Sequence, residues 1–173
     1  MRGLSKAVLA LGCSLLLTGG GARSIAAQEI PTSNNPEVSR QTGSNVEFLF
    51  PEQVSIAAKQ PATVDLHFRI KQGLHINSHT PHAKSLIPTN LALVEGPGMK
   101  VSAVDFPPGA DFAFAFNPKE KLNIYTGDFV LKAHLTVAPG DHLLQGALRY
   151  QACDSNSCYP PKTIPVAVDV IAK

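Results

Sequence analysis

From Ala62 to Lys71 the chain alternates: Val64, Leu66, Phe68 and Ile70 are apolar, while Thr63, Asp65, His67, Arg69 and Lys71 are polar. Phe129, Leu131, Ala133, Leu135 and Val137 repeat the rhythm around Lys132, His134 and Thr136, and Ile164, Val166, Val168 and Val170 repeat it near the end. Successive side chains of a strand point to opposite faces, so period two dictates strands with one dry and one wet face. No stretch sustains helical periodicity with caps. Turn residues cut the chain at short intervals, at Gln72-Gly73, Gly96-Pro97-Gly98, Pro107-Pro108-Gly109, Thr126-Gly127-Asp128 and Pro139-Gly140-Asp141. About seven to nine short strands separated this way predict an all-β fold, an immunoglobulin-like antiparallel β-sandwich. The chain has no tryptophan and its C-terminal cysteines are close together, which excludes the inter-sheet disulfide of antibody domains.

The N-terminus follows a different rule. Met1-Arg2-Gly3-Leu4-Ser5-Lys6 is basic, Ala7 to Leu17 is almost unbroken apolar sequence, and Ser24-Ile25-Ala26-Ala27 offers small residues for cleavage. This layout predicts a signal peptide over 1–27, cut after Ala26 or Ala27. An apolar run of about 11 residues is shorter than the ~20 that span a bilayer, so no membrane insertion is expected after its removal. Cys13 is followed by Leu15-Leu16-Leu17, still inside the apolar core, and is read as leaving with the signal rather than as a lipid-attachment site. Residues 28–44 are polar, carry Pro31 and Pro36 and lack periodicity, and are expected to form a flexible leader. Residues 45–173 suffice for one domain.

Removing 1–27 changes the charge. Arg2, Lys6 and Arg23 go and no acidic residue does, so Lys+Arg falls from 15 to 12 against 13 Asp+Glu and the formal charge passes from +2 to −1. No polybasic run remains, which argues against nucleic acid as a partner. An exported chain with two remaining cysteines sits where a disulfide persists.

Those two, Cys153 and Cys158, flank Asp154-Ser155-Asn156-Ser157, a strong turn sequence, and precede Tyr159-Pro160-Pro161. Strand-like residues lie on both sides, Leu148 to Cys153 and Thr163 to Val170, so the sulfurs fall at facing ends of a hairpin-like loop within disulfide reach. The prolines confine the exit to an edge or a loop. Three chemistries fit. A staple closing so short a loop is worth roughly 2 kcal/mol, against about 4.7 for a 100-residue loop. A metal clip needs further ligands, for which His75, His79 and His82 are the candidates, with Met99 the one methionine outside the signal. A redox couple needs an accessible disulfide, which a short polar loop provides. The residues alone leave staple and redox couple open, with metal behind them.

Three segments, GLHINSHTPHAKSLIPTNLAL, KLNIYTGDFVLKAHLTV and GALRYQACDSNSCYPPKTIPV, together resemble the N-terminal periplasmic domain family of DsbD, the thiol:disulfide interchange protein. The last is the most specific. The resemblance implies an immunoglobulin-like sandwich in the periplasm whose redox-active pair exchanges thiols through mixed disulfides, without a cofactor. Carried over, Cys158 would meet the partner and Cys153 would resolve the mixed disulfide. The family's aromatic cap over the pair maps to Phe114 and Phe116, although Phe112, Phe114 and Phe116 also alternate like a buried strand face. His75, Asn77, Tyr150 and Tyr159 are further candidates for shaping the site. Better-known members have one more residue between the cysteines, tyrosines where His75 and Asn77 stand, and acidic residues where Asn117-Pro118-Lys119 stands. Implied partners are thioredoxin-like periplasmic proteins, as donor and acceptor. Because the sequence ends at Lys173, a separate membrane electron carrier is expected.

Overall fold

The computed structural model describes residues 44–49, 53–115 and 117–173. The expected signal peptide, Cys13, most of the leader and Phe116 lie outside the described residues. Twelve strands and no helix occur among them: β1 Val46–Leu49, β2 Val54–Ile56, β3 Ala62–Ile70, β4 His75–Asn77, β5 Asn90–Val94, β6 Met99–Asp105, β7 Ala110–Phe114, β8 Asn117–Tyr125, β9 Asp128–Val137, β10 Gly140–Tyr150, β11 Ala152–Cys153 and β12 Lys162–Ala172.

The strands form three four-stranded sheets, β1-β3-β9-β6, β2-β12-β10-β5 and β11-β4-β8-β7. All pairings are antiparallel except the short parallel one between β2 and β12. The fold is an all-β immunoglobulin-like sandwich, as the alternation predicts. The strands outnumber the seven to nine expected because the chain breaks at sheet boundaries that residue pattern does not mark.

The alternation does its work in the first two sheets. Val64, Leu66 and Phe68 of β3 lie opposite Ala133, Leu131 and Phe129 of β9, and all six are buried. Leu144, Leu148 and Tyr150 of β10 and Ile164, Val166 and Val168 of β12 belong to the same cluster. Within it Phe48, Phe68, Phe129 and Tyr125 form a run of rings with centroids 5.1–5.2 Å apart, a spacing worth about 0.5–1.5 kcal/mol per pair beyond burial. The polar alternates face outward in cross-strand pairs, Arg69 with Asp128 and Lys132 with Asp65. Pro165 is tolerated within β12 because β2 covers only Val170–Ala172 of its far side.

The third sheet is made where other strands stop. β4 follows β3 after the Gln72-Gly73 turn, β8 leads into β9 through Gly127 at φ +61°, and β11 follows β10 after one residue, Gln151. It shares the core through Ile76, Tyr125 and Ala152. β10 and β12 pair over eleven residues, from Gly140–Ala172 to Tyr150–Lys162, so 151–161 is an excursion inserted into a long hairpin. Both cysteines are in that excursion.

Candidate functional site

Cys153 and Cys158 form a disulfide, with their Cα atoms 3.9 Å apart. The backbone explains the approach. Asp154 N–H donates to Ser157 O at 2.9 Å and Tyr159 N–H donates to Ala152 O at 2.8 Å. Those bonds flank the cysteines, which makes them a non-hydrogen-bonded antiparallel pair, the kind whose Cα atoms approach to about 4.5 Å. The two ends differ in exposure. Cys153 is wholly buried, whereas Cys158 and residues 155–157 are exposed.

Asp154 organises the loop. Its Oδ1 accepts from the N–H groups of Asn156 (2.7 Å) and Ser157 (2.8 Å), and its Oδ2 accepts from the Tyr159 hydroxyl at 2.6 Å. These donors hold its carboxyl below the usual range, the Tyr159 hydroxyl most strongly, and the same bond pushes the Tyr159 phenol up. Tyr159, 38% exposed, thereby becomes a fixed aromatic rim beside Cys158.

Beneath the pair lies β4. Cys153 stands directly opposite His75, and Ala152 opposite Ile76. Directly opposed residues of an antiparallel pair project to the same face, so the side chains of His75, Cys153 and Cys158 follow one another across the ladder. The His75 ring is buried and lies 4.6 Å from the ring of Phe112 and 6.0 Å from that of Phe114, which meet edge to face at 5.4 Å. Burial pushes the imidazole pKa down, and the Asp154 carboxylate opposes that shift. Both phenylalanines are half-buried on β7, where a register shift between them bends the β7–β8 hairpin.

The other candidates make the following contacts. Asn77 is buried, donating through Nδ2 to Ile87 O (3.0 Å) and Gln151 Oε1 (3.2 Å). Tyr150 is buried in the sandwich core with its hydroxyl 3.0 Å from Ser44 Oγ. His79 stacks on Phe106 at 3.8 Å and its Nδ1 lies 3.0 Å from Thr89 O, while His82 pairs with Asp111 of β7 at 3.1 Å. Among the described residues no three His, Cys, Asp or Glu side chains converge to hold a metal ion.

Residue types alone did not single out Gln151 or Asp154. Gln151 is the hinge between β10 and β11. Its backbone O accepts from Asn77 N–H at 3.3 Å, and its Nε2 donates to Tyr159 O at 3.2 Å. An amide between a strand and a cysteine was its only sequence signal. Asp154 had a clearer one, since aspartate opening a Ser-Asn-Ser turn is a side chain able to cap its own backbone. Phe112 was visible only as part of the Phe alternation.

The family described as "Thiol:disulfide interchange protein DsbD, N-terminal" matches residues 45–169. Among solved structures, the chain is similar to the N-terminal periplasmic domain of ScsB from Proteus mirabilis, with 16% identity and a TM-score of 0.48 over 72% of this chain and 44% of that one. It is also similar to the Neisseria meningitidis DsbD N-terminal domain in the reduced form, with 19% identity and a TM-score of 0.42 over 64% of this chain and 79% of that one. The chain thus spans less than half the length of the Proteus structure. No curated protein matches it.

Proposed function

This chain belongs to the family of DsbD N-terminal domains, and on that premise we propose that it relays reducing equivalents between proteins by thiol–disulfide exchange at Cys153 and Cys158. Cys158 is the sulfur that forms the mixed disulfide with the partner, and Cys153 releases it. The observation carrying this reading is the asymmetry of the pair, Cys153 buried opposite His75 and Cys158 exposed next to Tyr159. A thiolate needs a line of approach to the sulfur it attacks, and only Cys158 belongs to the exposed part of the loop.

In the reducing direction a partner thiolate attacks Cys158 Sγ, the Cys153–Cys158 bond breaks, and Cys153 leaves with the electron pair. A second partner thiolate then attacks the mixed disulfide and frees Cys158, so two electrons enter the pair. Delivery to an oxidised acceptor runs the steps in reverse, with Cys158 attacking first and Cys153 closing the ring. Phe112 and Phe114 screen the pair until a partner docks. The partners are thioredoxin-like proteins. The wider reading has a signal peptide over 1–27, a leader over 28–44, a domain over 45–173, a periplasmic location, a separate membrane electron carrier and a downstream role in cytochrome maturation. Among the described residues no helix is long and apolar enough to cross a membrane.

Equilibrating the protein in glutathione or dithiothreitol buffers and alkylating its thiols tests the reading. An exchanging pair equilibrates with a thioredoxin-like protein at a potential above about −300 mV, and an inert staple lies below it without exchange. The Cys153→Ser variant accumulates mixed disulfides through Cys158. Accumulation by Cys158→Ser instead reverses the roles.

A further inference from the structure

Three buried side-chain polar atoms lack a hydrogen-bond partner among the described residues, and one is His75 Nε2. Its position is specific. His75 is 5% exposed, lies directly opposite Cys153 in the β4–β11 ladder, and has Phe112 and Phe114 against its ring. An orphan buried nitrogen costs free energy and calls for an explanation. In the disulfide state neither sulfur carries a proton. Once the pair is reduced, Cys153 carries an S–H on the same sheet face as the His75 side chain.

We propose that His75 is the proton carrier for Cys153, its Nε2 accepting the thiol proton as Cys153 attacks the mixed disulfide on Cys158 and returning it when Cys153 is the leaving thiolate. The proposal rests on the relay reading above and assigns the step within it that burial makes hardest. Cys153 is wholly buried, and a bare thiolate is costly to form in such a place. A neutral imidazole protonated on Nδ1 presents Nε2 as an acceptor. Burial pushes the His75 pKa down, which favours the neutral ring, and the Asp154 carboxylate opposes that shift. The groups facing it are Cys153 on β11, the Phe112 and Phe114 rings on β7, and Asp154 in the loop, whose carboxylate steadies the imidazolium once it forms.

The step balances. Cys153 Sγ–H gives its proton to His75 Nε2, and the thiolate attacks Cys158 Sγ in the mixed disulfide. The Cys153–Cys158 bond forms, the bond from Cys158 to the partner sulfur breaks, and the partner leaves as a thiolate with the electron pair. Over the two exchange steps the pair is oxidised by two electrons and the partner disulfide reduced to two thiols, and in this step the imidazolium proton passes to the departing thiolate or to solvent.

The test uses the reduced full chain in a Cys13→Ser background, reacted with dithiobis(nitrobenzoate). The first thionitrobenzoate released reports mixed-disulfide formation at Cys158, and the second reports attack by Cys153. In His75→Gln we expect the second phase near neutral pH to slow by about 100-fold, with the first phase unchanged. The wild-type second phase should step with pH in the imidazole range. The variant should lack that step and converge on wild type in strong alkali, where hydroxide removes the proton. A second phase within about twofold of wild type, with the same pH profile, overturns the role of His75 and leaves the relay standing. Release of a single thionitrobenzoate by both proteins, leaving a stable mixed disulfide, overturns the relay reading and this role with it. Should His75→Gln fail to fold, wild type decides by nuclear magnetic resonance. The His75 Cε1 proton should titrate differently in the reduced and oxidised protein, and identical titrations in the two states refute the proposal.

Discussion

The two large sheets and the small third sheet follow opposite rules. In β3, β9 and β12 every second residue is buried, these residues fill a single core shared with β10, and charged residues of β3 and β9 pair outside it. In the third sheet β4 and β11 have only three and two residues, all three residues of β4 are buried although two of them are polar, and β7 is bent by a register shift. His75 Nε2, Asn77 Oδ1 and Asn123 Oδ1, the buried side-chain polar atoms without partners among the described residues, all belong to β4 or β8. Stability is concentrated where pattern, packing and hydrogen bonding agree, and the proposed chemistry where they do not.

The sharpest way to break this contrast is to separate activity from stability. Cys158→Ser should bring thiol exchange with a thioredoxin-like protein down to background while costing only roughly 2 kcal/mol of stability, the entropy of a six-residue loop. Exchange assays and urea unfolding check the two halves. Loss of the fold would mean the disulfide belongs with the core. Leu131→Ala should do the reverse. Leu131 is fully buried at the centre of β9, so truncation costs about 2–5 kcal/mol, while the folded variant exchanges thiols at the wild-type rate. A large change in that rate would show that the sandwich tunes the site.

Gly109→Ala probes the third sheet alone. A Cβ there would collide with Asn123 Oδ1 and come within 2.9 Å of Ser78 Cβ, and overpacking of this kind costs about 1–3 kcal/mol. Hydrogen exchange should speed up in β7 and β8 and leave β3 and β9 protected. Uniform loss of protection would mean that the third sheet does not open by itself. The smallest effect is on pH. The unfolded chain takes up the His75 proton near pH 6.5, and the folded chain only at lower pH because of burial. Between those values the unfolded state binds more protons, so stability should fall as the pH drops below about 6.5. His75→Phe should flatten that part of a denaturation series, and an unchanged slope would place its source elsewhere.

Much of the sandwich was legible in the residues. Val64 to Ile70 and Phe129 to Val137 form strands where the alternation puts them, because a one-residue slip would turn a whole apolar face to water. Leu148 to Cys153, by contrast, reads as one strand and is two, parted at Gln151 between different sheets. Strand propensity is shared by both halves, and only the neighbours available at each end decide which sheet a residue joins. Phe114 reads equally well as core or cap, and Phe112 only as part of a buried alternation. They are neither fully buried nor free, but packed on His75.

The sequence by itself determined the fold class, the long strands β3, β9 and β12 and the proximity of Cys153 to Cys158. Each depends on residues close along the chain, where periodicity and turn chemistry act. Only the tertiary structure decided that His75 lies opposite Cys153, that Phe112 and Phe114 cover His75, and that one cysteine is buried while the other is exposed. Those relations join residues tens of positions apart. Their physical origin is strand pairing across sheet boundaries, which is selected by the packing of the whole domain and leaves no periodic trace in any one segment.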